Sequence, residues 1–261
     1  MSSRLILFLL VGCFSCSKGK EKYSSLVIGH AGMGLDVPNS IFPPNSLSAF
    51  RSALLLGADG IECDVRMDTD GVLWCFHDEL LDDSTNGEGC IETKSFSELA
   101  KINYKGFGSH SLTRLSDLTE QIDTSEFLFI DIKHWNPCRS VSIHEYRNAL
   151  HSLGISEREK TYLIVSNEVW LNELSTDFKV IFDISSMFGN DLSQFEEKVI
   201  GWCVNTKLVT TDWIRYWNNK GKLTVLSEMK SAKTIKRSLE KRPFAIITDD
   251  VKTSINLKKH N

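Results

Sequence analysis

The chain has no excess of positive charge: 30 lysines and arginines stand against 34 aspartates and glutamates, a formal net charge of −4. Without a cationic field, nucleic acid is excluded as the main partner. It also lacks an apolar run long enough to cross a bilayer, because the stretch LILFLLVG near the start falls well short of the roughly 20 residues that a spanning helix needs. Seven cysteines are present, yet no two of the six beyond Cys13 stand at the spacing of a zinc site. What remains, 41% hydrophobic and 25% charged, is the make-up of a soluble globular protein with one large domain or two small ones.

The beginning of the chain reads separately from the rest. Arg4 precedes the apolar stretch and Cys13 follows it, the pattern of an export leader. Leu10-Val11-Gly12-Cys13 resembles the lipobox of bacterial lipoproteins, in which the leader is cut before a cysteine that then carries lipid; Cys16 fits that pattern less well. An ordinary cleaved signal peptide is the alternative. Residues 1–25 are therefore expected to be leader and polar tether, with the folded domain over 26–261 in the cell envelope or periplasm, anchored at Cys13. Of the six other cysteines, Cys63, Cys75 and Cys203 fall in apolar runs and are expected to be buried free thiols.

From Leu26 onward, short β-favouring runs alternate with helix-period segments, which predicts a parallel α/β sheet. The runs are LVIGH, GIECDV, FLFIDIK, YLIVS, VIFDI, GWCVN, LTVLS and FAIITD, with VLWCFHD as the return arm of a hairpin after GIECDV. Eight such units predict a (β/α)8 TIM barrel better than an open sheet. Helices are expected after Asn45, as its N-cap, and over VSIHEYRNALHSLG, EVWLNELS, DWIRYWNNKG and SAKTIKRSLEK, with Gly57 and Gly154 just past two helix ends. Residues 79–113 form an insertion with one short helix candidate, SFSELAKI, expected above the barrel mouth.

The run GIECDVRMDTDGVLWCFHDE, 60–79, carries the chemistry. Glu62 and Asp64 are two apart on a strand and share a face. With Asp68-Thr69-Asp70-Gly71 as a tight turn, positions summing to 139 pair, so His77 is expected opposite Glu62, and Cys75 opposite Asp64 with its side chain turned away from Cys63. At the C-terminal mouth of a barrel, His30 at the end of the first run and Asp131 with Lys133 at the end of the third join this patch. A lone acid in a strand is ordinarily an exposed or edge residue. Three within apolar runs at one mouth point instead to a hard divalent cation, because an unpaired buried carboxylate is costly. His30 and His77 read as general acid and base, although packed structural histidines are the plainer alternative. Lys133 reads as a neutraliser of the acids or a phosphate donor, and Asn45 as a helix cap with a site contact second to it. Trp170, Trp213 and Trp217 read as packing, and Trp135 as a wall of the mouth.

These residues resemble the glycerophosphodiester phosphodiesterase family over about 26–250, most specifically in GADGIECDVRMDTDGVLWCFHDELLDDSTNGEG and in IDIKHW. The resemblance implies Glu62, Asp64 and Asp131 as ligands of Mg²⁺ or Ca²⁺, His30 and His77 as acid and base, Lys133 and Asn45 at the substrate, and a small glycerophosphodiester as that substrate. Three departures stand out. The family's His-Arg-Gly is His30-Ala31-Gly32 here, its Glu-Asn is Pro44-Asn45, and its usual third ligand, glutamate, is Asp131. The missing arginine removes a bidentate phosphate donor. A head-group lyase that ends at a cyclic phosphate, and a lipid-anchored binding protein without turnover, are the rival expectations.

Overall fold

The structure is a computed structural model that describes residues 25–35, 37–135 and 137–259; the leader and Cys13 lie outside them. The strands are β1 (Leu26–Gly29), β2 (Gly60–Met67), β3 (Leu73–Cys75), β4 (Thr113–Arg114), β5 (Phe127–Ile132), β6 (Thr161–Val165), β7 (Val180–Asp183), β8 (Gly201–Asn205), β9 (Leu223–Met229) and β10 (Ala245–Thr248). Eight of them pair in parallel around a closed circuit, β1-β2-β5-β6-β7-β8-β9-β10, with β10 returning to β1. The predicted TIM barrel is therefore present, and all eight runs supply its strands.

Helices α1 (Leu47–Leu55), α2 (Phe96–Leu99), α3 (Leu115–Gln121), α4 (Ile143–Ser152), α5 (Glu168–Leu174), α6 (Thr211–Asn219), α7 (Ala232–Glu240) and α8 (Val251–Lys259) complete the chain. The crossover from β7 to β8 uses only short 3-10 turns. Strand alternation divides the apolar residues in two. Ile61, Cys63, Val65, Ile130 and Ile132 face the helices in the large outer core, while Ile28, Phe129, Ile164, Ile181, Val225 and Ile247 fill the barrel interior. That inner plug closes the barrel beneath its C-terminal mouth.

Two local expectations need correction. The hairpin pairs Val65 with Cys75 and Met67 with Leu73, so opposed positions sum to 140, not 139. The cause is a three-residue loop, Thr69-Asp70-Gly71. Asp68 accepts from the Asp70 and Val72 amides through its carboxylate, its own amide pairs with the Val72 carbonyl, and Gly71 takes a φ of 81°. Cys75 therefore faces the same way as Cys63, both buried and free, and after burial the Cys75 thiol is the next influence that pushes the Cys63 thiol up. Second, Ser46 and not Asn45 caps α1, accepting from the Ala49 amide. Gly57 and Gly154 follow their helices at positive φ as expected.

The insertion has a small core of its own, Trp74, Phe76, Leu81, Ile91, Leu99, Ile102, Tyr104 and Leu112. A disulfide from Cys90 to Cys138, 48 positions apart, fastens it to the loop that follows β5. No helix of the described residues is long and apolar enough to cross a membrane.

Candidate active site

Even-numbered side chains of β2 turn into the mouth, so Glu62, Asp64 and Arg66 line up on one face, all buried. The β2–β5 register sets Asp131 beside Asp64. One oxygen from each of Glu62, Asp64 and Asp131 lies within 4.8 Å of the others. Three hard oxygens in so small a space suit Mg²⁺ or Ca²⁺, whose bonds to oxygen run from about 2.0 to 2.6 Å, and no soft donor joins them. The residues present therefore fit the cation that the family resemblance implies.

Electrostatics agree with that fit. Burial, then repulsion by Asp64, pushes the Glu62 carboxyl up to about 8. Burial alone would raise Asp64 too, but Lys133, His77, His30 and the Asn45 amide outweigh it and hold Asp64 well below the carboxylate range. The Lys133 ammonium bridges Asp131 at 2.6 Å and Asp64 at 2.9 Å. Burial opposes its charge, but these two acids raise it well above the usual lysine range.

Asn45 donates from its side-chain amide to Asp64 Oδ2 at 2.7 Å and accepts from the Asp64 main-chain N–H at 3.1 Å. It is 1% exposed, and so aims Asp64 from behind. At 45° the φ of Ala31 is positive, which points its amide at Glu62 Oε2, 2.9 Å away. Gly32, at a φ of 87°, passes so close to α1 that a Cβ would meet the backbone of Ala49 and Phe50. The His-Ala-Gly turn is thus built to deliver one imidazole and one amide to the mouth.

Each histidine has one ring nitrogen held by a carboxylate. His30 Nδ1 lies 2.7 Å from Asp249 Oδ1, and His77 Nδ1 lies 3.0 Å from Asp78 Oδ1. An acceptor at Nδ1 fixes the proton there and leaves Nε2 for proton transfer; His30 Nε2 is 4.0 Å from Glu62. Burial works against charge on His30, but the hydrogen bond to Asp249 and the fields of Glu62, Asp249 and Asp64 raise it to about 9.

A cavity of about 570 Å³ opens over this patch, lined among others by His77, Asp131, Lys133, Trp135, Ser166 and Asp183. Trp135, 59% exposed, forms the wall expected of it, whereas Trp170 and Trp217 are packed against the outer core. Four supporting side chains, Asp249, Asp78, Arg66 and Glu92, are not marked as partners by the sequence pattern. Asp249 ends the run FAIITD, and its pairing with His30 follows from the β10–β1 contact. Asp78 was visible beside His77. Arg66 and Glu92, a buried ion pair at 2.9 Å, left no pattern that spacing could detect.

Comparison with known proteins agrees with the geometry. Residues 30–252 match the glycerophosphoryl diester phosphodiesterase family. A glycerophosphodiester phosphodiesterase of Caldanaerobacter subterraneus subsp. tengcongensis is 37% identical over 115 residues, 42% of this chain and 45% of that protein. The chain spans about half the length of the curated relatives it matches. Among solved structures, a glycerophosphodiester phosphodiesterase from Agrobacterium tumefaciens superposes with a TM-score of 0.72 over 90% of this chain and 99% of that one, at 19% identity. An Oleispira antarctica phosphodiesterase, solved with the product sn-glycerol-3-phosphate, gives 0.76 over 90% and 97% at 17% identity. At such identities these structures share the fold.

Proposed function

The chain belongs to the glycerophosphoryl diester phosphodiesterase family, and from that premise we propose that it is a metal-dependent hydrolase of glycerophosphodiesters that releases glycerol 3-phosphate and an alcohol. The observation that carries this reading is the cluster of Glu62, Asp64 and Asp131, with His30 held by Asp249 beside Glu62, next to a cavity that Asp131 and the carboxylate-held His77 line. The product complex of the Oleispira antarctica enzyme supports it.

Glu62, Asp64 and Asp131 would hold Mg²⁺ or Ca²⁺, which when bound supplies positive charge against the negative charge that develops on the phosphoryl oxygens. Asn45 acts through Asp64, keeping its carboxylate in place. Lys133 offers its ammonium to a phosphoryl oxygen at the rim of the acid cluster. Of His30 and His77, one accepts the proton of the attacking water, or of a substrate hydroxyl whose cyclic phosphate water then opens, and the other donates a proton to the leaving alcohol, each through Nε2. Either transfer contributes about 10²–10⁴ in rate. Ala31 leaves the phosphate without the arginine of the family pattern, so Lys133 is the cation nearest the acids for that task.

Phosphorus NMR on glycerophosphocholine, glycerophosphoethanolamine and glycerophosphoinositol tests the reading. Glycerol 3-phosphate is expected with Mg²⁺ or Ca²⁺ and not with EDTA. A cyclic phosphate as the final product would support a lyase, and cation binding with no cleavage of any of the three would support a binding protein.

We infer a membrane-surface location in the cell envelope from the lipobox-like run Leu10–Cys13 alone, which lies outside the described residues. Cys13→Ala should move the expressed protein from the membrane to the soluble fraction; equal membrane retention would contradict the anchor.

A further inference from the structure

The last main-chain bond of the hairpin runs from the Phe76 amide to the Asp64 carbonyl at 2.9 Å, one residue before His77, so strand pairing does not reach the histidine's own backbone. Its main chain is held instead by Arg66: Nη2 donates to the His77 carbonyl at 2.9 Å and Nε to the same oxygen at 3.3 Å. The guanidinium continues to two further segments. Nη1 donates to Glu92 Oε1 of the insertion at 2.9 Å and to the Trp135 carbonyl after β5 at 3.2 Å. One side chain, 3% exposed, thus ties the backbone of a mouth histidine, the cavity's aromatic wall and the insertion to the strand that bears Glu62 and Asp64.

Fold stability is a poor explanation for this arrangement. A buried ion pair returns little net stability, since the cost of desolvating both charges nearly cancels their attraction. The insertion is also fastened to the β5 loop by Cys90–Cys138, two residues from Glu92 and three from Trp135. What the disulfide cannot supply is a fixed carbonyl at His77. The planar guanidinium does so with two donors on one oxygen, a geometry that an ammonium cannot copy.

We propose that Arg66 is the positioning residue of His77: it fixes the His77 backbone relative to the β2 carboxylates, so that the imidazole meets the substrate in the geometry for proton transfer. The inference rests on the reading of His77 as an acid or base. Glu92 has a narrower part, holding the guanidinium in plane. Misplacing a catalytic group by about 1 Å costs on the order of 100-fold in rate, which sets the scale of the effect.

The test is a double-mutant cycle on the full protein, with Mg²⁺ or Ca²⁺ present and glycerophosphocholine as substrate, whose alkyl alcohol needs a proton to leave, so that a lost acid and a lost base both lower turnover. Arg66→Lys is expected to lower kcat about ten- to hundred-fold with KM within about threefold and cation affinity unchanged. In a His77→Ala background it should lower kcat no further. Arg66→Gln/Glu92→Gln, which leaves no lone buried charge, should reproduce the loss if the lysine variant does not fold. Glu92→Gln alone, which keeps both bonds to His77, should be far milder. An Arg66→Lys or Arg66→Gln/Glu92→Gln protein with the kcat of the wild type would overturn the proposal. So would an equal fold-loss from either change with and without His77. If His77→Ala is itself fully active, the proton-transfer reading fails, and the positioning role fails with it; if His77→Ala is impaired and the Arg66 variants are not, only the positioning role fails.

Discussion

At the scale of single residues, the site depends on partners behind the groups that face the cavity. Asp249 accepts from His30 and also from the Leu35 amide, so it is itself held in place. Asp249→Asn should lower kcat about ten- to hundred-fold, as loss of an orienting partner commonly does, and flatten the pH dependence of the limb that His30 controls. An unchanged profile would remove Asp249 from the account. Asn45→Ala should weaken cation binding by about the same factor while leaving the fold intact, measured by calorimetric titration. The acid cluster also gives the cation-free protein a characteristic pH response. Glu62 is raised from its ordinary 4.5 to about 8 and His30 from 6.5 to about 9. In both cases the folded state binds more protons than the unfolded one, so stability is full below the ordinary values and is lost as pH rises through the folded ones. Asp64, held low, acts oppositely and contributes above the carboxylate range. In EDTA, the melting temperature should therefore decline from about pH 6 to pH 9, and Mg²⁺ or Ca²⁺ should reduce that decline by replacing the lost protons. A melting temperature flat across that range in EDTA would show that the cluster does not carry this strain.

At the scale of elements, all eight barrel strands were legible because each is an apolar run bounded by turn residues. The active-site acids stood out because they interrupt those runs. The hairpin register was misread by one residue: Asp68-Thr69-Asp70-Gly71 is compatible with a two- or a three-residue loop, and the Asp68 carboxylate, which selects the longer one, acts through contacts that composition does not show. The one-residue slip put Cys75 on the wrong face, as alternation requires. Helix α8 went unpredicted because VKTSINLKK presents few apolar positions, with Val251, Ser254 and Ile255 as its buried side. Its start was nonetheless marked by Asp250, whose carboxylate accepts from the Thr253 amide. The Cys90–Cys138 bridge was equally hidden, since spacing alone does not identify partners. Closing a loop of this length restricts the unfolded chain by about 3–5 kcal/mol. Cys90→Ser/Cys138→Ser should accordingly melt several degrees lower than the wild type; a matched melting temperature would mean that the insertion is held by its own core alone.

At the scale of the whole molecule, barrel closure turns scattered residues into one site. His30, near the start of the chain, and Asp249, near its end, become neighbours only because β10 pairs with β1. The apolar plug of Ile28, Phe129, Ile164 and Ile181 fills the barrel interior, and of the three acids Asp131 lines the cavity at the mouth. The insertion, disulfide-bound to the β5 loop, contributes Glu79, Leu80 and Asp83 to that cavity's wall. The most direct test of the account strips the protein with EDTA and titrates Mg²⁺ or Ca²⁺ back while following glycerophosphocholine cleavage and melting temperature together, in the wild type and in Glu62→Gln. Turnover should be absent in EDTA, return with the same cation dependence as the rise in melting temperature, and need far more cation in the variant. Full turnover in EDTA, or a variant indistinguishable from the wild type, would contradict a cation held by Glu62, Asp64 and Asp131.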